Sequence, residues 1–336
     1  MVQTSARRVV VTQRFFDEAT VAWLEANGCQ VEIAALPPGK ADGDLTPEEI
    51  IALLEGAQGW IVGHARVTRA VMEALPQLQV ISRRGVGYER VDVDAARELG
   101  RVVAIAAGGN DASVADHVIG LMIAVGRRFR EHQANMEGGD WRILTGSDLY
   151  RKTVGVIGLG RIGRSVVRRL EGFEARVLVH SPSAPTEAAR ALGAEPAGLE
   201  ALLEQSDYVT VHAPLTPQTR FMIDATAMGR MKPGAVLINT ARGGLVQDAH
   251  LLAALKSGHL GGAGLDVWVS ESDPEFRPVS EALLAMPNVI GTPHSAASSK
   301  EGLDRTNRVA AEAVVAVLDG RDPAPECVVA DGRSGR

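Results

Sequence analysis

Short apolar runs alternate with amphipathic stretches along the whole chain. In the first third the strand-like runs are RRVVVT from Arg7, QVEIA from Gln30, GWIVG from Gly59, LQVIS from Leu78 and VVAIA from Val102. A second series follows: TVGVIG from Thr153, ARVLVH from Ala175, YVTVH from Tyr208, AVLIN from Ala235, GAGLDV from Gly262 and NVIGT from Asn288. Helical patterns fill the gaps, as at 17–26 and 47–54. The second of these has Thr46 as a cap, Pro47 at the first helical position and acids in the first turn. Strands alternating with helices predict an α/β protein with parallel sheets.

Three other segments are less regular. PPGKADGD, 37–44, is expected to be a loop. A long helix is predicted over 113–136, after the capping types Asn110, Asp111 and Ser113. Its stretch VIGLMIAVG is nearly all apolar, which implies burial between domains or between subunits. The tail after Asp319 is polar and rich in Pro and Gly, and is expected to fray. No internal repeat or low-complexity tract is visible.

Composition narrows the function classes. A length of 336 residues suggests two domains, with 46% apolar and 23% charged residues, both ordinary for a globular protein. The net charge of −6 comes without blocks of like charge, against the basic stripe of a nucleic-acid binder. No run approaches the roughly 20 apolar residues that span a membrane. Arg7 and Arg8 precede only Val9 to Val11, too short a run for a secretory signal. Cys29 and Cys327 form neither a disulfide framework nor a zinc spacing, so no metal is expected and a cytoplasmic setting is. Cys29 reads as a buried residue.

The run Gly158-Leu159-Gly160-Arg161-Ile162-Gly163 directly follows a strand and opens a helix, the context a dinucleotide site requires. Gly158 permits the tight turn, Gly160 lets a pyrophosphate approach the backbone and Gly163 lets helix and strand pack closely. The helix N-terminus stabilises the phosphate charge. NAD-binding folds place an acid about twenty residues on, at the end of the second strand. Ser181 stands there instead, and no Arg or Lys follows before Arg190. Arg161 offers a nearby cation. The cofactor is read as NADP or NAD, leaning to NADP because the acid that repels a 2′-phosphate is missing.

Arg242 in INTARGGLV, Asp266 and Glu271 in GLDVWVSESDP, and His294 in TPHSA all follow predicted strand ends, where open α/β sheets bind ligands. Together with RRGVGYERVDVDAA, NDASVADH, GLGRIG, HAPLTPQTR and MKPGAVLINTARGGLV, they give a chain that resembles the D-2-hydroxyacid dehydrogenase family. The resemblance lies in the branch of phosphoglycerate dehydrogenases and glyoxylate/hydroxypyruvate reductases, and covers nearly the whole chain.

The resemblance implies hydride transfer between NAD(P) and C2 of a small 2-hydroxy or 2-keto acid. Arg242 would hold the substrate carboxylate and polarise the C2 oxygen, which suits its planar fork. His294 would give and take the proton on that oxygen. Glu271 would fix the His294 tautomer and favour its charged form, with Asp273 as a rival. The N–H groups of Val86 and Gly87 would bind the carboxylate. Asp266 and Asn110 would bind the nicotinamide, although Asp266 also fits as a loop cap. Pro214, Thr219 and Thr240 fall at cofactor positions of the same pattern. His212 reads as packing, and Trp268 as pocket or core. Arg84, with Arg83 and Arg66, points to a second anionic group on the substrate, unless Arg84 faces solvent or pairs with Glu89 or Asp92.

Val86 stands where phosphite-oxidising relatives carry lysine, and an acid stands where formate dehydrogenases carry glutamine, so neither substrate is expected. Ile105 and Ala107 replace a polar residue and a proline common in relatives. The implied fold is two Rossmann-like domains, with a cofactor domain at 108–296 inserted into a flavodoxin-like substrate domain at 1–107 and 297–336. A helix from about Lys300 to Leu318 would cross back to the first domain, and hinge closure would accompany substrate binding. A regulatory serine-binding domain is not expected. By analogy a homodimer forms through the long helix and the GGDWRILTG arm. The competing readings are a dinucleotide-binding corepressor, for which no acidic or disordered extension is seen, and another two-domain Rossmann enzyme such as an amino-acid dehydrogenase, against which the Arg, Glu, His order speaks.

Overall fold

The computed structural model describes residues 7–333, so the outermost parts of the expected substrate domain lie outside the described residues. The chain divides into two compact units, Met1–Asn110 with Ser299–Arg336, and Asp111–Ser298.

The first unit is built on β1 (Arg7–Val11), β2 (Cys29–Ile33), β3 (Gly59–Val62), β4 (Val80–Arg83) and β5 (Val102–Ile105). These pair in parallel in the order β5-β4-β3-β1-β2, the flavodoxin-like arrangement. Side chains of period two serve both faces. Val10, Trp60, Val62, Ile81 and Val103 pack with Ile50, Leu54 and Met72. Val9, Val11, Ile61, Val80 and Val102 pack with Leu24 and with Ala310 and Val314 of helix Lys300–Leu318. Helix Pro47–Leu53 starts as its sequence demands, with Thr46 and Glu49 capping each other reciprocally and Pro47 at its first position.

One expectation fails in this unit, and another gains detail. The tail does not fray: Val328–Asp331 forms a strand antiparallel to β5, with Ala330 buried. It covers an edge that would otherwise leave backbone groups unpaired. The loop 37–44 contains a 3₁₀ turn, Asp42–Asp44, whose Asp42 is buried and accepts the N–H groups of Gly63 at 2.6 Å and His64 at 3.0 Å.

The second unit carries β6 (Thr153–Ile157), β7 (Arg176–His180), β8 (Glu195–Pro196), β9 (Tyr208–Val211), β10 (Val236–Asn239), β11 (Gly262–Leu265) and β12 (Val289–Gly291). All run parallel in the order β12-β11-β10-β9-β6-β7-β8, the doubly wound Rossmann order with one strand more. The two-residue β8 carries no apolar run and leaves no periodic signal.

The helix expected over 113–136 is two helices, Asp111–Gly126 and Phe129–Glu137. Arg128 between them is left-handed, with φ +56°. Gly126 is pinned from both sides. A Cβ there would lie 2.2 Å from the Tyr208 hydroxyl, and its carbonyl accepts the Ser147 N–H at 2.8 Å. The first helix buries one face in the core of its own unit, where Val114, Val118 and Met122 join Val154, Val156 and Ile238. Among the described residues no helix is long and apolar enough to cross a membrane.

Candidate active site

The residues singled out in the second unit follow the carboxyl ends of its parallel strands. The glycine loop leaves β6. Gly158 has φ +100°, and a Cβ on it would lie 2.7 Å from the His212 carbonyl. A Cβ on Gly163 would lie 2.1 Å from the Gly158 oxygen. Nothing lies within 4 Å of a Cβ built on Gly160, so space beside the backbone is open where helix Arg161–Leu170 begins. Arg161 is exposed, and Ile162 packs on the core below. Ser181, just beyond β7, accepts the Leu159 N–H at 3.1 Å and so ties the strand end to the loop. A cavity of about 260 Å³ opens beside Leu159 and Ser181.

Thr219 holds its own loop, donating to the Pro214 carbonyl at 2.7 Å and accepting the Thr216 N–H at 2.8 Å. His212 sits behind the glycine loop, where burial drops its pKa to about 4 and keeps it neutral. Its Nε2 lies 3.0 Å from the Thr210 hydroxyl, in keeping with a packing role.

Beyond β10, buried Asn239 shapes the turn that presents Thr240 and Arg242. Its Oδ1 accepts the Ala241 N–H at 3.1 Å and its Nδ2 donates to the Arg242 carbonyl at 2.9 Å. The Thr240 hydroxyl is buried and has no hydrogen-bond partner among the described residues. A buried polar atom without a partner is costly, so it marks a place where a ligand group completes the site. Open space at Gly160 and the unsatisfied Thr240 hydroxyl together fit a dinucleotide. The Arg242 turn presses on the next one: a Cβ on Gly243 would lie 2.2 Å from the Trp268 carbonyl carbon.

That next turn, Val269–Glu271, aims Glu271 at His294. The imidazole Nδ1 lies 2.7 Å from Glu271 Oε2, while Oε1 accepts the Trp268 N–H at 2.7 Å. Asp273 instead caps its own turn through the Glu275 N–H at 3.2 Å. The hydrogen bond to Glu271 raises the pKa of His294, burial and the Arg242 charge oppose, and the Glu271 and Asp266 charges add to the rise. Burial pushes Glu271 upward, but its contact with His294, the Trp268 N–H and Arg242 outweigh this and lower its pKa. Trp268 donates from Nε1 to the Thr292 carbonyl at 3.0 Å, so the indole braces the same region.

His294 is held in a left-handed conformation, φ +55°, which a side chain-bearing residue rarely adopts. Asp266 holds it. The His294 N–H donates to the Asp266 carbonyl at 2.7 Å, and the fully buried Asp266 carboxylate accepts the N–H groups of Ser295 at 2.8 Å and Ala296 at 2.9 Å. Thr292 donates its hydroxyl to the same carboxylate at 2.5 Å. Asp266 therefore uses its acceptors on the turn that carries His294. Sequence reasoning passed over Thr292 and over His117, whose Nε2 lies 3.1 Å from the Thr292 hydroxyl. The only signal was their presence inside NDASVADH and TPHSA.

In the first unit, Val86 and Gly87 lie in the turn after β4, and neither backbone N–H has a partner among the described residues. Arg84 is half-buried, and its Nη1 is buried with no hydrogen-bond partner among the described residues. Burial lowers its pKa and the Asp42 charge opposes the shift. Arg83 is buried, Arg66 exposed, and Asn110 buried with its Oδ1 lacking a partner among the described residues.

The sequence profile described as "D-isomer specific 2-hydroxyacid dehydrogenase, NAD binding domain" matches residues 119–296. The D-3-phosphoglycerate dehydrogenase of Methanocaldococcus jannaschii is 38% identical over 317 residues, covering 93% of this chain and 58% of that protein. The chain thus spans little more than half the length of that curated relative. Among solved structures, the TT0316 protein from Thermus thermophilus matches with a TM-score of 0.83 and 36% identity, over 96% of this chain and 99% of the other. The apo-structure of D-lactate dehydrogenase from Escherichia coli matches with a TM-score of 0.80 and 30% identity, over 94% and 98%. Two sheets of these topologies, a glycine loop opening a helix and a matching profile over the second unit make this chain a member of the D-isomer specific 2-hydroxyacid dehydrogenase family.

Proposed function

We propose that the protein is an oxidoreductase acting on C2 of a small D-2-hydroxy acid or the corresponding 2-keto acid. The observation that carries this reading is the His294–Glu271 pair, 2.7 Å apart, set by turns beyond neighbouring strands β12 and β11. When bound, the nicotinamide cofactor supplies or accepts the hydride. The chain's own residues do the rest. His294 donates a proton from Nε2 to the C2 oxygen during reduction and takes it back in oxidation. Glu271 accepts from Nδ1, which fixes that tautomer and keeps the imidazolium available. Arg242 binds the carboxylate and polarises the carbonyl.

In this reading the second unit is the dinucleotide domain and the first the substrate domain. Gly158, Gly160 and Gly163 form the pyrophosphate cradle, and Thr240 turns its unpartnered hydroxyl to the cofactor. NADP is favoured over NAD, because Ser181 lacks the charge that repels a 2′-phosphate and Arg161 is exposed at the helix start. The half-buried Arg84, whose Nη1 has no partner among the described residues, favours substrates with a second anionic group, since an unsatisfied guanidinium N–H gains most from an anion. A cytoplasmic setting accords with two buried cysteines outside any disulfide.

A homodimer is part of the same proposal. Trp141 and Ile143 in the arm are 77% and 91% exposed, and Phe129, Met136, Leu284 and Ile290 line an open groove of about 720 Å³. Exposed apolar surface of this kind marks an interface, and a second copy supplies both halves. A monomeric mass in light scattering would remove this part.

The deciding experiment is steady-state reduction of a panel of 2-keto acids with each reduced cofactor, using wild type and His294→Ala. Turnover that falls roughly 10²–10⁴-fold in the variant, with cofactor affinity kept, is the expected result. No turnover on any 2-keto acid by wild-type protein that binds the dinucleotide would leave a binding role instead.

A further inference from the structure

Beneath the His294 turn lies a second imidazole. His117 comes from helix Asp111–Gly126 and sits 3.1 Å from the Thr292 hydroxyl and 3.8 Å from Asp266 Oδ1. Thr292 has one hydroxyl proton, and Asp266, which accepts it, has none to give when ionised. Thr292 must then accept from His117, which places a proton on His117 Nε2. The chain of donors ends on a fully buried carboxylate that also closes the 294–296 turn. Hydrogen bonds in series polarise one another, most strongly where water is excluded. A left-handed His294 persists only if its surroundings over-determine it.

We propose that His117 is a positioning residue for His294, acting through Thr292 and Asp266 to hold the His294 turn in the conformation that meets Glu271. It touches none of the reacting atoms, and its effect on turnover rests on the catalytic reading of His294 given above. The charged groups around the turn are Asp266, Glu271 and Arg242, which all act on His294. Loosening the turn weakens the Glu271 contact most directly, because that contact depends on a 2.7 Å separation.

The test compares His117→Leu, which removes the donor, with His117→Gln, which keeps one near the Nε2 position, and with Thr292→Val. In His117→Leu and Thr292→Val, kcat for keto-acid reduction should fall roughly tenfold or more, the range expected for losing a hydrogen bond that serves a charged group. KM for the cofactor should stay within about twofold, His117→Gln should recover most of the loss, and the double variant should be no worse than either single one. In parallel, NMR titration of the His294 imidazole in the free protein should show its pKa lowered in His117→Leu and kept in His117→Gln. That titration needs no turnover, so it separates this proposal from the catalytic reading. An unchanged His294 titration, or equal losses in the Leu and Gln variants, would overturn it.

Discussion

His294 Nδ1 and Glu271 Oε2 lie 2.7 Å apart, although each side chain remains 37% exposed. The pair is open enough for a substrate to reach and close enough for each group to set the other's charge. Glu271 raises the pKa of His294, and His294 helps to lower that of Glu271. A carboxylate that stays ionised on the acid side and an imidazole that stays protonated toward the alkaline side widen the pH range in which the acid form is available.

Glu271→Gln should narrow that range on its alkaline side. In the proposed mechanism, reduction of a keto acid needs protonated His294, and the raised pKa preserves this form as pH increases. Without the carboxylate the pKa falls, so activity should be lost at lower pH than in wild type. The pH profile of kcat/KM measures this, and an unmoved alkaline limb would remove Glu271 from the mechanism.

Ser181→Asp should shift preference toward NAD. The serine oxygen already accepts the Leu159 N–H, and an aspartate oxygen can take over that bond while adding a negative charge at the strand end. The charge disfavours a 2′-phosphate and offers an acceptor to ribose hydroxyls. The ratio of kcat/KM with the two cofactors is the readout. No change, or movement toward NADP, would show that the adenosine ribose lies elsewhere.

Arg84→Ala should separate two classes of keto acid. Because the buried Nη1 of half-buried Arg84 has no partner among the described residues, a dianionic substrate should lose about 1.5–3 kcal/mol of binding, the range for a charge-assisted hydrogen bond. A monoanion of similar length should lose little. Michaelis constants for the two classes decide it, and equal changes would leave Arg84 without a part in specificity.

The elements and the strand-end placement of the candidate residues were legible in the sequence. Period-two apolar runs, a glycine loop between strand and helix, and Thr46 with Pro47 are near-neighbour signals, so local chemistry alone predicts them. Arg242, Asp266 and His294 each stand within two or three residues of a predicted strand end, and parallel topology brings such positions to one edge of the sheet. Tertiary structure decided what these residues do there. Glu271 and Asp273 look equivalent in SESDP, yet the turn at 269–271 sends one to His294 and leaves the other as a cap. Asp266 is enclosed by the turn it holds, and the expected long helix breaks where Gly126 meets Tyr208. The last strand and β8 exist only because a sheet edge was there to pair with. His117 and Thr292 meet across 175 positions of sequence. Contacts of that range depend on the packing of whole elements, and no local pattern encodes them.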